Sequence, residues 1–144
     1  MINIICVGKI KEKYLEDLIN DYYHRIEKYH KIKIIELKDS NMEEESNLII
    51  KYLKPNDYVI SLAIEGKMLT SMELAQKIEQ TFNNYGTIDF IIGGSEGISA
   101  NVKEKSNYLL SFSSLTYPHG LFRGILLEQI YRSFKINNHE TYHK

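Results

Sequence analysis

The sequence is short of several things, and each shortage closes off a class of protein. It has one cysteine, Cys6, so it can form no internal disulfide and no cysteine-cluster metal site, which fits a reducing compartment. Cys6 itself lies inside the apolar run Ile2–Val7, where a thiol packs as a small hydrophobe. No apolar run approaches the roughly 20 residues of a membrane-spanning helix. The amino end, MINIICVGKIKEKY, goes straight into a strand-like pattern rather than a signal peptide, so a cytoplasmic protein is expected. Neither G-x-x-x-x-G-K-[ST] nor a G-x-G-x-x-G after the first strand is present, which removes the main support for triphosphate and dinucleotide binding. There is no internal repeat and no low-complexity linker. An excess of one charge is missing too: the net charge is −1, against a protein that coats nucleic acid by bulk electrostatics. The charge is uneven along the chain, however. Residues 1–38 and 117–144 each carry +2, and residues 39–116 carry −5. A fold that joins the two ends would put a basic rim around a less basic body.

What is present is the pattern of one globular domain spanning residues 1–144. Strands are expected at Ile2–Val7, Ile32–Leu37, Tyr58–Ile64, Ile88–Ile92 and Tyr108–Phe112. Between them, three- and four-residue apolar spacing predicts helices over Lys11–His30, Ser40–Leu53, Thr70–Asn84, Ser99–Ser106 and His119–Lys135. Ser40 with Glu43, and Thr70 with Glu73, have the spacing of capping boxes. Regular alternation with short connections is the signature of an α/β fold, a mostly parallel sheet with helices on both faces. Ligands in such folds bind beyond the carboxyl ends of strands, which directs attention to Leu62–Lys67, Gly93–Gly97 and Phe112–His119.

In the stretch FIIGGSEGIS, Phe90–Ser99, an apolar strand stops at Gly93 and Gly94, and Gly97 follows. Glycines there let main-chain N–H groups approach a bound molecule closely. The same residues fit G-x-S-x-G, with Glu104 and His119 downstream in hydrolase order. That leaves three readings: a ligand loop, a serine hydrolase using Ser95, or a plain turn in a cofactor-free interaction module built on a flavodoxin-like sheet. Phe112-Ser-Ser-Leu-Thr-Tyr-Pro-His119 combines small hydroxyl residues with a strand-stopping proline, and its exposed backbone could pair with the edge of a heterocycle such as adenine.

In the last helix Leu121, Phe122, Ile125, Leu126, Leu127, Ile130 and Phe134 cover more than one stripe, which suggests one face on the sheet and another on a two-fold partner. Gly120 and Gly124 would allow close backbone approach. His119 and Arg123, one turn apart, can face one pocket; Arg132 points elsewhere. The tail ends Thr-Tyr-His-Lys, offering Tyr142 as a stacking ring and His143 as a titratable imidazole beside Lys144, a combination suited to an unstacked RNA base.

GKIKEKY, IGGSEG, LSFSSLTYPH, ILLEQIYRSFKI and the terminal YHK occur in that order. Together they resemble the bacterial large-subunit ribosomal RNA methyltransferases of the SPOUT class that methylate N3 of a pseudouridine, and the resemblance spans essentially the whole chain. It implies a carboxyl-terminal trefoil knot, S-adenosyl-L-methionine bent into that knot, an obligate homodimer, no metal, and a target in the helix 69 stem-loop of 23S rRNA in the assembled ribosome. On this resemblance Leu62, Gly93, Gly97, Phe112, Ser113, Ser114, Leu115, Thr116 and Tyr117 line the cofactor pocket, and His119, Arg123, Tyr142 and His143 lie on the substrate side. N3 of pseudouridine carries a proton, so a base or stabilising cations must favour its loss. Arg123, with His143 of the other subunit, would stabilise the anion, and His119 or His143 would accept the proton. The chain departs from its relatives at Gly120 and Gly124, where larger residues are usual, at Thr141, where proline is common, and in a shorter connection between strands two and three.

Overall fold

The computed structural model describes residues 1–144. Its elements run β1 (Ile2–Val7), α1 (Lys13–Glu27), β2 (Ile32–Leu37), α2 (Met42–Tyr52), β3 (Tyr58–Met68), α3 (Ser71–Phe82), β4 (Ile88–Ile92), α4 (Ala100–Glu104), β5 (Tyr108–Ser111) and α5 (His119–Asn137). The five strands form one sheet, all pairs parallel, in the order β2-β1-β4-β3-β5. A flavodoxin-like sheet runs 2-1-3-4-5; here β4 separates β1 from β3, so that part of the interaction-module reading fails. No helix is long and apolar enough to cross a membrane.

Strand alternation sorts the core into two layers. Ile2, Ile4, Cys6, Ile88, Phe90 and Ile92 face the helices α1, α3 and α5. Ile5, Val7 and Ile91 face α2 and α4, with Ile49, Ile98 and Val102. Burial pushes the Cys6 thiol up to about 11, as a packing role requires.

Two local expectations are revised. Helix α2 is capped by Asn41, whose side chain accepts from the Glu44 N–H, while the Ser40 hydroxyl turns to the Glu44 carboxylate. Thr70 and Glu73 do form the reciprocal capping box of α3. Strand β3 continues past Ile64 to Met68: it bulges after Leu62 and rejoins β5 at Lys67. Gly66 permits this, because a Cβ there would stand 2.7 Å from the Leu109 carbonyl carbon.

The apolar breadth of α5 is explained within the chain. The helix packs against both α1 and α3 as well as the sheet, so its second face does not call for a partner. A Cβ at Gly120 would meet Ile10 Cδ1 at 2.8 Å, and one at Gly124 would meet Leu18 Cδ2 at 2.7 Å. The two glycines therefore seat α5 on α1 and on the segment before it.

One connection positions the site. Strand β5 is at the sheet edge beyond β3, yet α5 begins beside β1, where His119 Nε2 is hydrogen-bonded to the Val7 carbonyl. Residues 112–118 thus cross the carboxyl ends of β3 and β4.

At the opposite end of the sheet Asp89 is fully buried. Its Oδ1 accepts from Asn3 Nδ2 at 2.9 Å, and Oδ2 has no partner within the chain. Burial first, then neighbouring Asp57, pushes the carboxyl up to about 7. The folded state therefore holds this proton more tightly than the unfolded chain. Its contribution is present at low pH and is lost as pH rises from about 4 to about 7. Asp89→Asn keeps the acceptor for Asn3 and removes the charge. It is expected to raise stability at pH 8 by about 1–3 kcal/mol and to flatten the fall of Tm between pH 5 and 8 in thermal melts.

Candidate active site

Two clefts open at the carboxyl end of the sheet and meet at one histidine. The first, about 590 Å³, lies beyond β3, β4 and β5, with an apolar base that includes Leu62, Ile92, Leu110, Phe112 and Phe122. One wall is the glycine loop after β4, where the Gly97 N–H donates to the Gly94 carbonyl at 3.0 Å. Gly93 sits beneath this turn so closely that a Cβ would stand 2.3 Å from the Gly97 oxygen, and Gly97 itself has φ +83°, in the region only glycine enters freely.

The other wall is the 112–117 crossing. None of these residues makes a backbone-to-backbone hydrogen bond; the turn is held by side chains, with Ser113 Oγ accepting from the Leu115 N–H at 2.9 Å and Ser111 Oγ donating to the Ser113 carbonyl at 3.2 Å. Free main-chain donors and acceptors beside an apolar base are what a flat heterocycle with a polar edge requires. Of the expected lining, Leu62, Gly93, Gly97, Phe112, Ser113, Leu115, Thr116 and Tyr117 border the cleft. Ser114 does not; it is exposed on the outer side of the turn. The Glu65–Lys103 ion pair and Phe122 also border it, and the Lys103 hydrogen bond holds the Glu65 carboxyl below the usual carboxylate range.

The second cleft, about 670 Å³, lies beyond β1 and β2 and is polar, with Lys9, Lys11, Lys38, Glu36 and Asp39 in its lining. Ile10 packs against Gly120, and the lysines on either side of it, Lys9 and Lys11, both line this cleft. The fold thus gathers lysines from the basic amino end around His119 of the basic carboxyl end. Gly94, Ser95 and His119 belong to both clefts.

His119 opens α5 with its Nε2 on the Val7 carbonyl. A carbonyl only accepts, so Nε2 carries hydrogen and the neutral ring has its lone pair on Nδ1, which has no partner within the chain. Arg123, one turn on, reaches neither cleft. It is 1% exposed and lies behind β1 and β2, where Nη1 donates to Glu36 Oε2 at 2.6 Å and Nη2 to the Gly8 carbonyl at 3.1 Å. Glu36 is the half of this pair that reaches the surface.

The tail is held far down α5. The Tyr142 hydroxyl donates to Glu128 Oε2 at 2.8 Å and lies 3.3 Å from the Tyr22 hydroxyl; burial and these two bonds push its phenol above the ordinary value. Arg132 Nη1 and His143 Nδ1 are 3.1 Å apart. Glu128 and Arg132 are nine and thirteen residues beyond His119, roughly 14 and 20 Å along the helix axis. One chain therefore does not bring Tyr142 and His143 to His119.

The hydrolase arrangement is not formed. No hydrogen bond joins Ser95 to His119, and His119 Nε2 is engaged by Val7.

Comparison with known proteins agrees with this geometry. The family model described as "Predicted SPOUT methyltransferase" matches residues 1–143. The ribosomal RNA large subunit methyltransferase H of Clostridium botulinum (strain Hall) is 48% identical over 157 aligned residues, covering 99% of each chain. That of Bifidobacterium animalis subsp. lactis is 45% identical with the same coverage. Among solved structures, the TrmH/SpoU tRNA modifying enzyme of A. aeolicus superposes with TM-score 0.53 at 10% identity, over 95% of this chain and 77% of that one. The SpoU methyltransferase AviRb of Streptomyces viridochromogenes, solved with AdoMet, gives 0.50 at 9% identity, over 90% and 56%. At such low identity these two speak for the fold alone, but the family model and the sequence relatives span nearly the entire chain. The chain belongs to the SPOUT methyltransferase family.

Proposed function

We propose that the protein transfers the methyl group of S-adenosyl-L-methionine to N3 of a pseudouridine in 23S rRNA, in the helix 69 stem-loop of the assembled ribosome. The observation that carries this reading is the junction at His119: an apolar cleft with free main-chain groups on one side, a lysine-lined cleft on the other. The relatives' names supply the large-subunit rRNA substrate. The first cleft suits the cofactor, because the apolar side chains can cover its ring, the 112–117 main chain can pair with its edge, and Gly93 leaves room where any side chain would intrude. The bound cofactor supplies an electrophilic methyl on a sulfonium, so no metal is needed. The chain itself aligns the base and removes its proton. His119 Nδ1 accepts the N3 proton, and the lysines of the second cleft hold the flanking phosphates.

Two further features belong to this reading. A carboxyl-terminal trefoil knot is one, and the crossing of residues 112–118 over β3 and β4 supports it. A homodimer would bring Tyr142 and His143 of the second chain to the site; the reach along α5 favours this, and so do exposed Ile64, Met68, Leu115 and Tyr117 in and beside the first cleft. The modest charge favours a ribosome, which supplies shape, over free RNA, and a cytoplasmic enzyme follows.

Calorimetric titration with S-adenosyl-L-methionine is expected to give saturable binding, and incubation with ribosomes bearing an unmethylated target pseudouridine to give one methyl per ribosome. Absence of binding, or faster methylation of naked RNA than of ribosomes, would count against the respective parts.

A further inference from the structure

The second cleft contains a feature that methyl transfer alone does not call for. Glu36 stands at its edge with its side chain 37% exposed, while the side chain of its partner Arg123 is 2% exposed. The pair is lopsided, a guanidinium sealed beneath α5 and a carboxylate that reaches the cleft. Arginine cannot shed its charge, and a buried cation deprived of its partner is strongly destabilising, so Glu36 is held in one orientation. Its Oε2 is taken by Arg123 Nη1. Its Oε1 has no partner within the chain. Gly8 ties this carboxylate to the reacting histidine: Arg123 Nη2 donates to the Gly8 carbonyl at 3.1 Å, and a Cβ on Gly8 would lie 3.4 Å from the His119 ring.

A fixed, charged acceptor asks for a donor on the base. Pseudouridine has one that uridine lacks. Its ring is joined to the sugar through carbon, so it carries two imino groups, N3–H and N1–H, and N1–H occupies the place where uridine has C5–H. Given the pseudouridine reading above, on which this inference rests, we propose that Glu36 Oε1 accepts the N1–H and is the residue by which the enzyme tells pseudouridine from uridine. Asp39, the other carboxylate of the cleft, is exposed and has no buried cation to fix it. Arg123 then acts through Glu36, as the residue that aims it. A charge-assisted hydrogen bond in a fixed geometry is among the stronger protein contacts, and a site that leaves such an acceptor unpaired rejects the analogue by far more than a missing methyl group would.

The test uses the full-length protein and large subunits carrying either pseudouridine or uridine at the target position. Wild type is expected to methylate pseudouridine at least about tenfold faster than uridine under single turnover. In Glu36→Gln, Arg123 still needs an acceptor, so the amide oxygen turns to it and the NH₂ faces the base, donor against donor. Pseudouridine methylation is therefore expected to fall at least about tenfold, uridine methylation to change little, and the preference to collapse towards one, with S-adenosyl-L-methionine affinity unchanged. A preference retained in Glu36→Gln, or a wild type indifferent to the two bases, overturns the proposal. A second measurement needs no variant: N1-methylpseudouridine at the target position, which has no N1–H, should be methylated by wild type at least about tenfold more slowly than pseudouridine, and equal rates overturn the proposal. Failure of wild type to methylate any of these substrates would instead remove the underlying reading, and this proposal with it.

Discussion

Gly93→Ala is expected to abolish measurable binding of S-adenosyl-L-methionine, weakening it by at least about a hundredfold, because the added methyl cannot be accommodated by a side-chain shift. It would stand 2.3 Å from the Gly97 carbonyl oxygen and 2.6 Å from the carbonyl carbon, both main-chain atoms. The turn closed by Gly97 N–H and Gly94 C=O would have to open, and that turn is one wall of the cleft. Overpacking of this kind costs about 1–3 kcal/mol of stability, so the variant should still fold, with a Tm lowered by several degrees. Gly97→Ala is a control of a different kind: nothing lies within 4 Å of its Cβ position, and the penalty is the strain of φ +83° alone, about 1–2 kcal/mol. Its loss of affinity should be smaller. Calorimetry beside thermal melts separates the two, and equal affinities for wild type and Gly93→Ala would dismiss the loop as the cofactor wall.

The second large effect concerns the tail. His143→Ala and His119→Ala are each expected to reduce methyl transfer by at least about a hundredfold, with cofactor affinity unchanged in the first. In the proposed dimer, each site joins His119 of one chain to the tail of the other. Mixing the two inactive variants and allowing subunits to exchange should then restore activity. In a heterodimer one of the two sites is intact in both parts, so about a quarter of the wild-type rate per chain returns after random exchange. No recovery would mean that each chain works with its own tail. That outcome would need the tail to leave Glu128, Tyr22 and Arg132, which hold it well away from His119.

The strands and the first cleft were largely readable in the sequence because local signals specify them. Apolar runs bounded by turn residues gave β1, β2 and β4 to the residue, and the glycine loop and the 112–117 run announced themselves by composition. What was hidden depended on pairings distant in sequence. The breadth of α5 implied a partner because nothing local indicates that Gly120 and Gly124 nestle on Ile10 and Leu18, over a hundred residues earlier. Arg123 has the spacing of a site residue on His119's face, but its destination was decided by Glu36, 87 residues away. The lysine cleft could have been suspected from the K-I-K alternation after β1, whose meaning appears only when Ile10 is seen to anchor it. Strand order, and with it the exclusion of a flavodoxin-like sheet, has no local signature.

The contact of His119 with the Val7 carbonyl joins residues 112 positions apart, and it has a consequence in time. During synthesis β1 emerges first, yet the histidine that completes its carboxyl end belongs to the last helix, and the 112–118 wall can cross β3 and β4 only once those strands exist. Contacts that close such long loops form late and slowly. A nascent or truncated chain ending before α5 would thus hold most of the sheet but lack His119, where the two clefts meet, so the proton acceptor of the proposed reaction is put in place only by the last helix to be made.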